Sequence, residues 1–375
     1  MENRTLTDIS KFETERGVSE YHVMIQVSDT HLTYAEQVNE VLAAYSSLVQ
    51  GELKGATAVF KRFFLSDAAN QADYLIAQET ENSYCPISVV EQPPLNGAKI
   101  ALWVYMQKGV QTKVLSNGLF EVSHGGYRHL WMAGSCNKAA TSEYQTRLIL
   151  NEYVMRLAEQ GCLLADHCIR TWFFVQNVDV NYAGVVKARN AVFVTQNLTD
   201  KTHFIASTGI AGRHAEAEVL VQMDAYAVDG IRKEQVHYLY APTHLNPTYE
   251  YGVSFERGTY VDYGDRRQVF ISGTASINNK GEVLYPGDIR RQTSRMLENV
   301  EVLLREAECS FDDVCHQIVY LRDIADYETV KGIFDVRFPD IPKIFLLAPV
   351  CRPGWLIEME CMAVRRIANP DYQPY

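Results

Sequence analysis

One pattern of residues occurs three times along this chain, and it constrains the fold more than any other feature. The stretches "AEQGCLLADHCIRTWFFVQNVDVNY" (158–182) and "REAECSFDDVCHQIVYLRDIADY" (305–327) share a layout. Each has cysteines six apart (Cys162 and Cys168, Cys309 and Cys315), then an aromatic strand, a polar turn and a tyrosine. "GATAVFKRFFLSDAANQADY" (55–74) is a fainter third copy. A repeat of this size implies one supersecondary unit used several times. An amphipathic stretch precedes each copy: AEQVNEVLAAYSSLV, QTRLILNEYVMRLAEQ and QTSRMLENVEVLLREA. In the last, Met296, Val300, Leu303 and Leu304 share one helical face. Each copy ends in a strand: AKIALWVYM, AEVLVQMDAYAV and LIEMECMAV.

The expected unit is a strand pair, a helix, a strand, a second helix or turn, and a final strand. Its fold class is α+β, with helices covering one sheet face and the other face left for a neighbouring unit. The spans read as 20–107, 118–228 and 235–367. "EQPPLNG" (91–97) reads as a turn within the first unit, and 107–118 and 229–235 as linkers.

With 375 residues and 47% hydrophobic content, the chain can bury a large core, and no apolar run reaches the length of a membrane span. A net charge of −11 argues against nucleic-acid backbone as a partner. A small anion would need a local cluster of arginines. The polar N-terminus MENRTLTDISKFETERG carries no secretory signal, so a cytoplasmic location with reduced thiols is expected. The eight cysteines form no CxxC pair and no zinc-like spacing with histidine, and neither a metal nor an organic cofactor is expected.

"CRPGWLIEMEC" (351–361) singles out a site. Strand side chains alternate, so Ile357, Met359 and Cys361 point one way and Glu358 and Glu360 the other. If the apolar set meets the helices, the two acids face the interior between units. Aligned by their endings, the second unit has Gln222 and Asp224 there, and the first has Ala101 and Trp103. Only the third unit has a carboxylate at the first of these positions, which favours one specialised site over a repeated structural role.

The order of elements resembles the YjgF family, the reactive-intermediate deaminases also called L-PSP endoribonucleases. "FISGTASI", "GDIRRQTSRMLENVEVLLREA", "VYLRDIADYETVKGIFDVRFP" and "IEMECMAV" carry the likeness. Family members are homotrimers with sites between subunits, so three YjgF-like units in one chain imply an intramolecular pseudo-trimer, alone or in a higher homo-oligomer. Imine deaminases of that family hold a substrate carboxylate with an arginine just after the proline that opens the penultimate strand. Here Ile344 stands there, which counts against that activity. "IRTWFFV", "IASTGI", "THLNP", "FERG", "SGTASI", "YPGD" and "CRPGWLIEMEC", spread over about 165–366, resemble the chorismatases. These are YjgF-fold enzymes that release pyruvate from chorismate. That likeness implies Glu358 as the catalytic acid and Cys351 as a residue of the branch forming 3-hydroxybenzoate.

The chemistry is consistent with these residues. Cleaving an enol ether begins with a proton on the methylene carbon, and a carboxyl can supply it near neutral pH only if burial or a second acid keeps it protonated. Glu360 is that second acid, or a structural residue. A dianionic substrate needs cationic donors, for which Arg170, Arg189, Arg213 and Arg257 are candidates, each of them equally able to form a salt bridge. Tyr182 precedes Arg189 on one expected helix. Thr208–Gly209 and Gly273–Thr274 end strands where backbone N–H groups can meet a ligand oxygen. Cys351 has no histidine nearby in sequence and is expected to shape the pocket. Tyr249 and Tyr251 are candidate walls. An imine or enamine deaminase, and a protein that binds a metabolite without turnover, are the competing readings.

Overall fold

The structure, a computed structural model, describes residues 4–15, 17–79 and 85–375. Three sheets follow one another along the chain, each with helices on one face. The first unit contains β1 (Thr5–Phe12), β2 (Ser19–Val27), α1 (Tyr34–Gln50), β3 (Thr57–Leu65), α2 (Ala68–Glu79), β4 (Ile87–Glu91) and β5 (Ile100–Lys108). The second contains β6 (Gln111–Val114), β7 (Phe120–His124), β8 (Tyr127–Cys136), α3 (Ser142–Ala158), the single turn α4 (Leu164–His167), β9 (Cys168–Val175), α5 (Val178–Thr195), β10 (Ala206–Ala211) and β11 (Val221–Asp229). The third contains β12 (Val236–Leu239), β13 (Gly258–Asp262), β14 (Arg266–Ala275), α6 (Ile289–Glu306), β15 (Val314–Leu321), α7 (Tyr327–Arg337), β16 (Lys343–Leu347) and β17 (Ile357–Arg366).

The strand orders are β1-β2-β5-β3-β4, β10-β9-β11-β8-β7-β6 and β12-β13-β14-β17-β15-β16. In each, the last strand lies between an antiparallel hairpin strand and the strand that follows the first long helix. A parallel strand then extends that second neighbour at the edge. This is the expected α+β unit, three times over. Residues 107–118 differ from their reading as a linker, because β6 forms there and pairs with β7. All four β6 residues are exposed on an edge strand, so no apolar alternation announced it.

Helix starts follow local capping chemistry. Thr33 accepts from the Glu36 N–H and Glu36 returns a bond to the Thr33 N–H, while Thr141 and Asp288 cap α3 and α6 in the same N-terminal manner. The four α6 residues expected on one face are all fully buried. Along β5, β11 and β17 the odd-even alternation is strict. Leu102, Met223 and Met359 meet the helices, and Trp103, Asp224 and Glu360 face the common interior.

The three inner faces close on one another around a pseudo-threefold axis. Ladder register makes the units comparable residue by residue: Ile100 faces Leu65, Val221 faces Val175 and Ile357 faces Leu321, each at the end of its ladder. Ala101, Gln222 and Glu358 are therefore equivalent, and so are Trp103, Asp224 and Glu360. The three junctions have different chemistry. Between the first and second units, Asp224 accepts from Arg62 Nε and Nη2 at 3.1 and 2.8 Å. Gln222 Nε2 there donates to Ser88 Oγ and the Val89 carbonyl, both at 3.2 Å. Between the third and first, rings pack at a tilt: His316 lies 4.8 Å from His22 and 4.6 Å from Trp103. Tyr375 closes one end of the axis. Its hydroxyl accepts from Gln107 at 2.5 Å, and its ring lies 4.4 Å from His124 and 4.7 Å from Tyr263, so it touches all three units.

Candidate active site

The junction between the second and third units holds a pocket. Helix α5 contributes Tyr182 and Arg189, seven residues and two turns apart on one face. Strand β10 contributes Ser207 and Gly209, β14 contributes Gly273 and Ala275, and β17 contributes Glu358. The loop after β12 contributes Val253, Phe255 and Arg257, and the loop before β17 contributes Cys351, Arg352 and Trp355.

Glu358 is 5% exposed and sits against backbone. A Cβ built on Gly273 would lie 2.2 Å from its Oε1, so any side chain at 273 would have to displace the Glu358 carboxyl. Gly209 has a similar reason: its Cβ would lie 2.7 Å from the Tyr182 ring. The Glu358 carboxyl is pushed up to about 8, first by burial and then by the charge of Glu360, against the opposing pull of Arg170 and Arg257. Near neutral pH it therefore carries a proton.

The structure separates the expected binding residues into two layers. Arg189, Tyr182, Gly209, Gly273, Arg257 and Cys351 line the pocket with Glu358. Arg170, Thr208, Thr274 and Glu360 do not. Arg170 Nη2 donates to Glu360 Oε2 at 2.9 Å and to Thr208 Oγ1 at 2.6 Å. Thr208 also accepts from the Gly273 N–H at 2.9 Å and donates to Glu360, so its hydroxyl is saturated. Trp172 Nε1 donates to the other Glu360 oxygen at 2.9 Å. Arg170, Thr208 and Glu360, expected to contact ligand, are instead placed beside the pocket and bonded to one another, with further bonds to Thr171 and Trp172. The Thr274 hydroxyl is bonded to the Ser272 carbonyl. Arg213 lies in the loop after β10, 3.8 Å from Glu91. Tyr249 is half-exposed and lines a neighbouring hollow, and the Tyr251 side chain lies outside the described ones.

Arg189 is 1% exposed, and neither its Nε nor its Nη2 has a hydrogen-bond partner among the described residues. Its guanidinium lies 5.9 Å from the centres of the Phe173 and Phe255 rings, which stabilise a cation without neutralising it. A buried cation with unused donors suits an anionic ligand. Arg257 is braced by Asn246, whose carbonyl accepts from Nη2 at 2.9 Å. The Cys351 thiol is pushed up to about 12, by burial first and then by Glu358, which leaves it protonated and shaping the wall. Arg352, Trp355 and Phe255 belong to the pocket without having been singled out from the sequence. Arg352 immediately follows Cys351 in the quoted motif, and that adjacency was the available signal.

Two further expectations meet the structure. Ile344 lies on β16, at the junction of the third unit with the first, where the adjacent Lys343 carbonyl accepts from Gln26 at 3.1 Å. The register-equivalent position beside Glu358 is Thr208, facing Trp172 as Ile344 faces Ile318. Neither is cationic. Far from the pocket, Cys162, His167 and Asp229 each bring one ligand atom within 4.8 Å of the others, and Arg128 already donates to Asp229 at 2.9 Å. No helix among the described residues is long and apolar enough to cross a membrane.

Comparison with known proteins agrees with this architecture. The Endoribonuclease L-PSP family model matches residues 255–365, the third unit. A RutC family protein of Pyrococcus abyssi is 31% identical over 99 residues, which is 26% of this chain and 78% of that protein. The 3-aminoacrylate deaminase RutC of Acinetobacter baylyi is 29% identical over 97 residues, covering 25% of this chain and 77% of the enzyme. Among solved structures, a chorismatase superposes on 82% of this chain and 93% of its own, with a TM-score of 0.65 and 17% identity, a likeness of fold. The chain belongs to the YjgF/RutC family of L-PSP endoribonuclease-like proteins, three units of which it joins in one polypeptide.

Proposed function

We propose that the protein cleaves the enolpyruvyl ether of chorismate, with Glu358 as general acid. The observation that carries this reading is a protonated, buried carboxyl in the same pocket as the uncompensated Arg189. Glu358 gives its proton to the enol methylene carbon, whose π electrons form the new C–H bond. The adjacent carbon becomes an oxocarbenium centre, and an oxygen nucleophile captures it. If that nucleophile is water, the resulting hemiketal collapses to pyruvate and the ring alcohol. Arg189, Arg257 and Arg352 supply three cations around the pocket, matching a substrate with two carboxylates. The likeness of fold to a chorismatase supports the same reading. Cys351, as in the resemblance, is assigned to the choice of product. Purified protein incubated with chorismate should release pyruvate; binding without pyruvate would reduce the pocket to a receptor.

A second reading has its own support. RutC of Acinetobacter baylyi is named a 3-aminoacrylate deaminase. An enamine, like an enol ether, is activated by a proton on carbon, so the same acid would serve. A small monoanionic enamine would engage fewer of the three arginines. Release of ammonia from an enamine acid, with no pyruvate from chorismate, would favour it.

A further inference from the structure

The first unit shows none of the chorismatase-like phrases, yet it sends a buried arginine toward the candidate acid. Arg62, on β3, is fully buried. Its Nε and Nη2 hold Asp224 of the second unit, and its Nη1 lies 3.8 Å from Glu360 Oε1 of the third. That Nη1 has no hydrogen-bond partner among the described residues, since 3.8 Å is beyond hydrogen-bond range. Aromatic rings box the guanidinium in, with Trp172 and Phe174 each 4.9 Å away. Asp224, Arg62, Glu360 and Arg170 thus form one buried row of alternating charge that ends beside Glu358.

We propose that Arg62 is a positioning residue for the acid step: with Arg170 it holds the charge on Glu360, so that the single proton shared by the two carboxyls resides on Glu358, where substrate can take it. This rests on the reading of Glu358 as general acid. Two acids on one strand face titrate as a pair, and donors on one member decide which carries the proton. Glu360 receives Arg170, Trp172 and Thr208 as donors, with Arg62 beyond them. Of the other groups facing Glu358, Arg257 favours its charged form and so acts in the opposite sense, while burial keeps Tyr320 and Cys351 neutral; the donors on Glu360 must outweigh Arg257. Removing a cation does not lower a neighbouring carboxyl's pKa. The expected change is therefore a transfer of the proton toward Glu360, without any fall in the pH of the alkaline limb.

The test is Arg62→Met combined with Asp224→Asn, which removes the buried pair together and leaves no lone charge. Infrared difference spectra of the ligand-free protein, with Glu358→Gln and Glu360→Gln as references, read which carboxyl is protonated without any need for turnover. Wild type should show the protonated band on Glu358, and the double variant should divide it between both acids. Pyruvate release should then fall by about twofold in the pH range where the pair holds one proton, because a partition change of about one pKa unit takes Glu358 from nearly full to about half occupancy. Arg62→Lys keeps the charge but cannot fork between Asp224 and Glu360; it should give an intermediate division, and it decides the matter if the double variant does not fold. A band that stays wholly on Glu358 in the folded variants overturns the inference. If the band divides but chorismate is not a substrate, the functional reading fails and this inference stands.

Discussion

The Glu358 carboxyl rests on the backbone of Gly273, with no room for even a methyl group between them. Strand β14 thereby fixes the height of the acid in its pocket. Gly273→Ala should push the carboxyl away from its position. A displacement near 1 Å costs about 10²-fold in rate, so turnover should fall by that order while the protein stays folded. A crystal structure of the variant, read alongside its kinetics, checks both parts.

Glu358→Gln keeps size and removes the transferable proton, and Gln222 shows that the unit accepts glutamine at this place. General acid–base steps contribute roughly 10²–10⁴-fold, and turnover should fall by that factor with little change in ligand affinity. Glu360→Gln should behave differently. It leaves Arg170 buried without its counter-ion, so the main effect should be a loss of stability of about 3 kcal/mol, measured by denaturant unfolding. Near-normal turnover in Glu358→Gln would remove it from the mechanism.

The raised Glu358 carboxyl gives two pH dependences. As an acid it works while protonated, so activity should hold up to about pH 8 and decline above that. For stability, the folded carboxyl binds its proton more tightly than the unfolded one at 4.5. The contribution is therefore complete below the unfolded value and is lost as pH rises through about 8. Glu358→Gln should flatten that part of the stability curve. Unfolding midpoints of both proteins across this range test the sign.

Arg189→Met separates binding from folding. A buried cation without acceptors costs stability, so the variant should be at least as stable as wild type in the absence of ligand. A charge-assisted hydrogen bond contributes about 1.5–3 kcal/mol, so affinity for a dianionic ligand should weaken by roughly 10–100-fold. Calorimetric titration together with thermal unfolding reads both, and a destabilised variant with unchanged affinity would contradict the assignment.

Cys351→Ala should alter the mixture of products more than the rate of pyruvate release, because the thiol is held protonated and acts through its shape. Chromatography of the products beside a pyruvate assay decides. Complete loss of turnover in a folded protein would give the sulfur a chemical role.

Periodicity made the interior placement of Glu358 and Glu360 legible, since alternation on β17 depends only on which neighbours are apolar. Tyr182 and Arg189, expected on one helix, both lie on α5 and reach the same pocket. What alternation does not reveal is the partner across a junction. Arg170 and Glu360 are 190 residues apart, and their pairing depends on how the second and third sheets meet. Arg352, Trp355 and Phe255 come from loops, where no period indicates direction. The inert reading of 107–118 failed for a related reason: β6 buries nothing, so its pairing leaves no mark on composition.

Tyr375 packs against residues of all three units, and the covalent chain already joins them. In a trimer of separate subunits every substitution is copied at each junction. Here a substitution alters one junction alone, and the three have diverged into a carboxylate pocket, an arginine clasp and a cluster of tilted rings. Occupancy follows from that divergence. Saturating the Glu358 pocket should take one ligand per polypeptide, where an assembly of three identical chains would take three, and a titration endpoint distinguishes the two by counting.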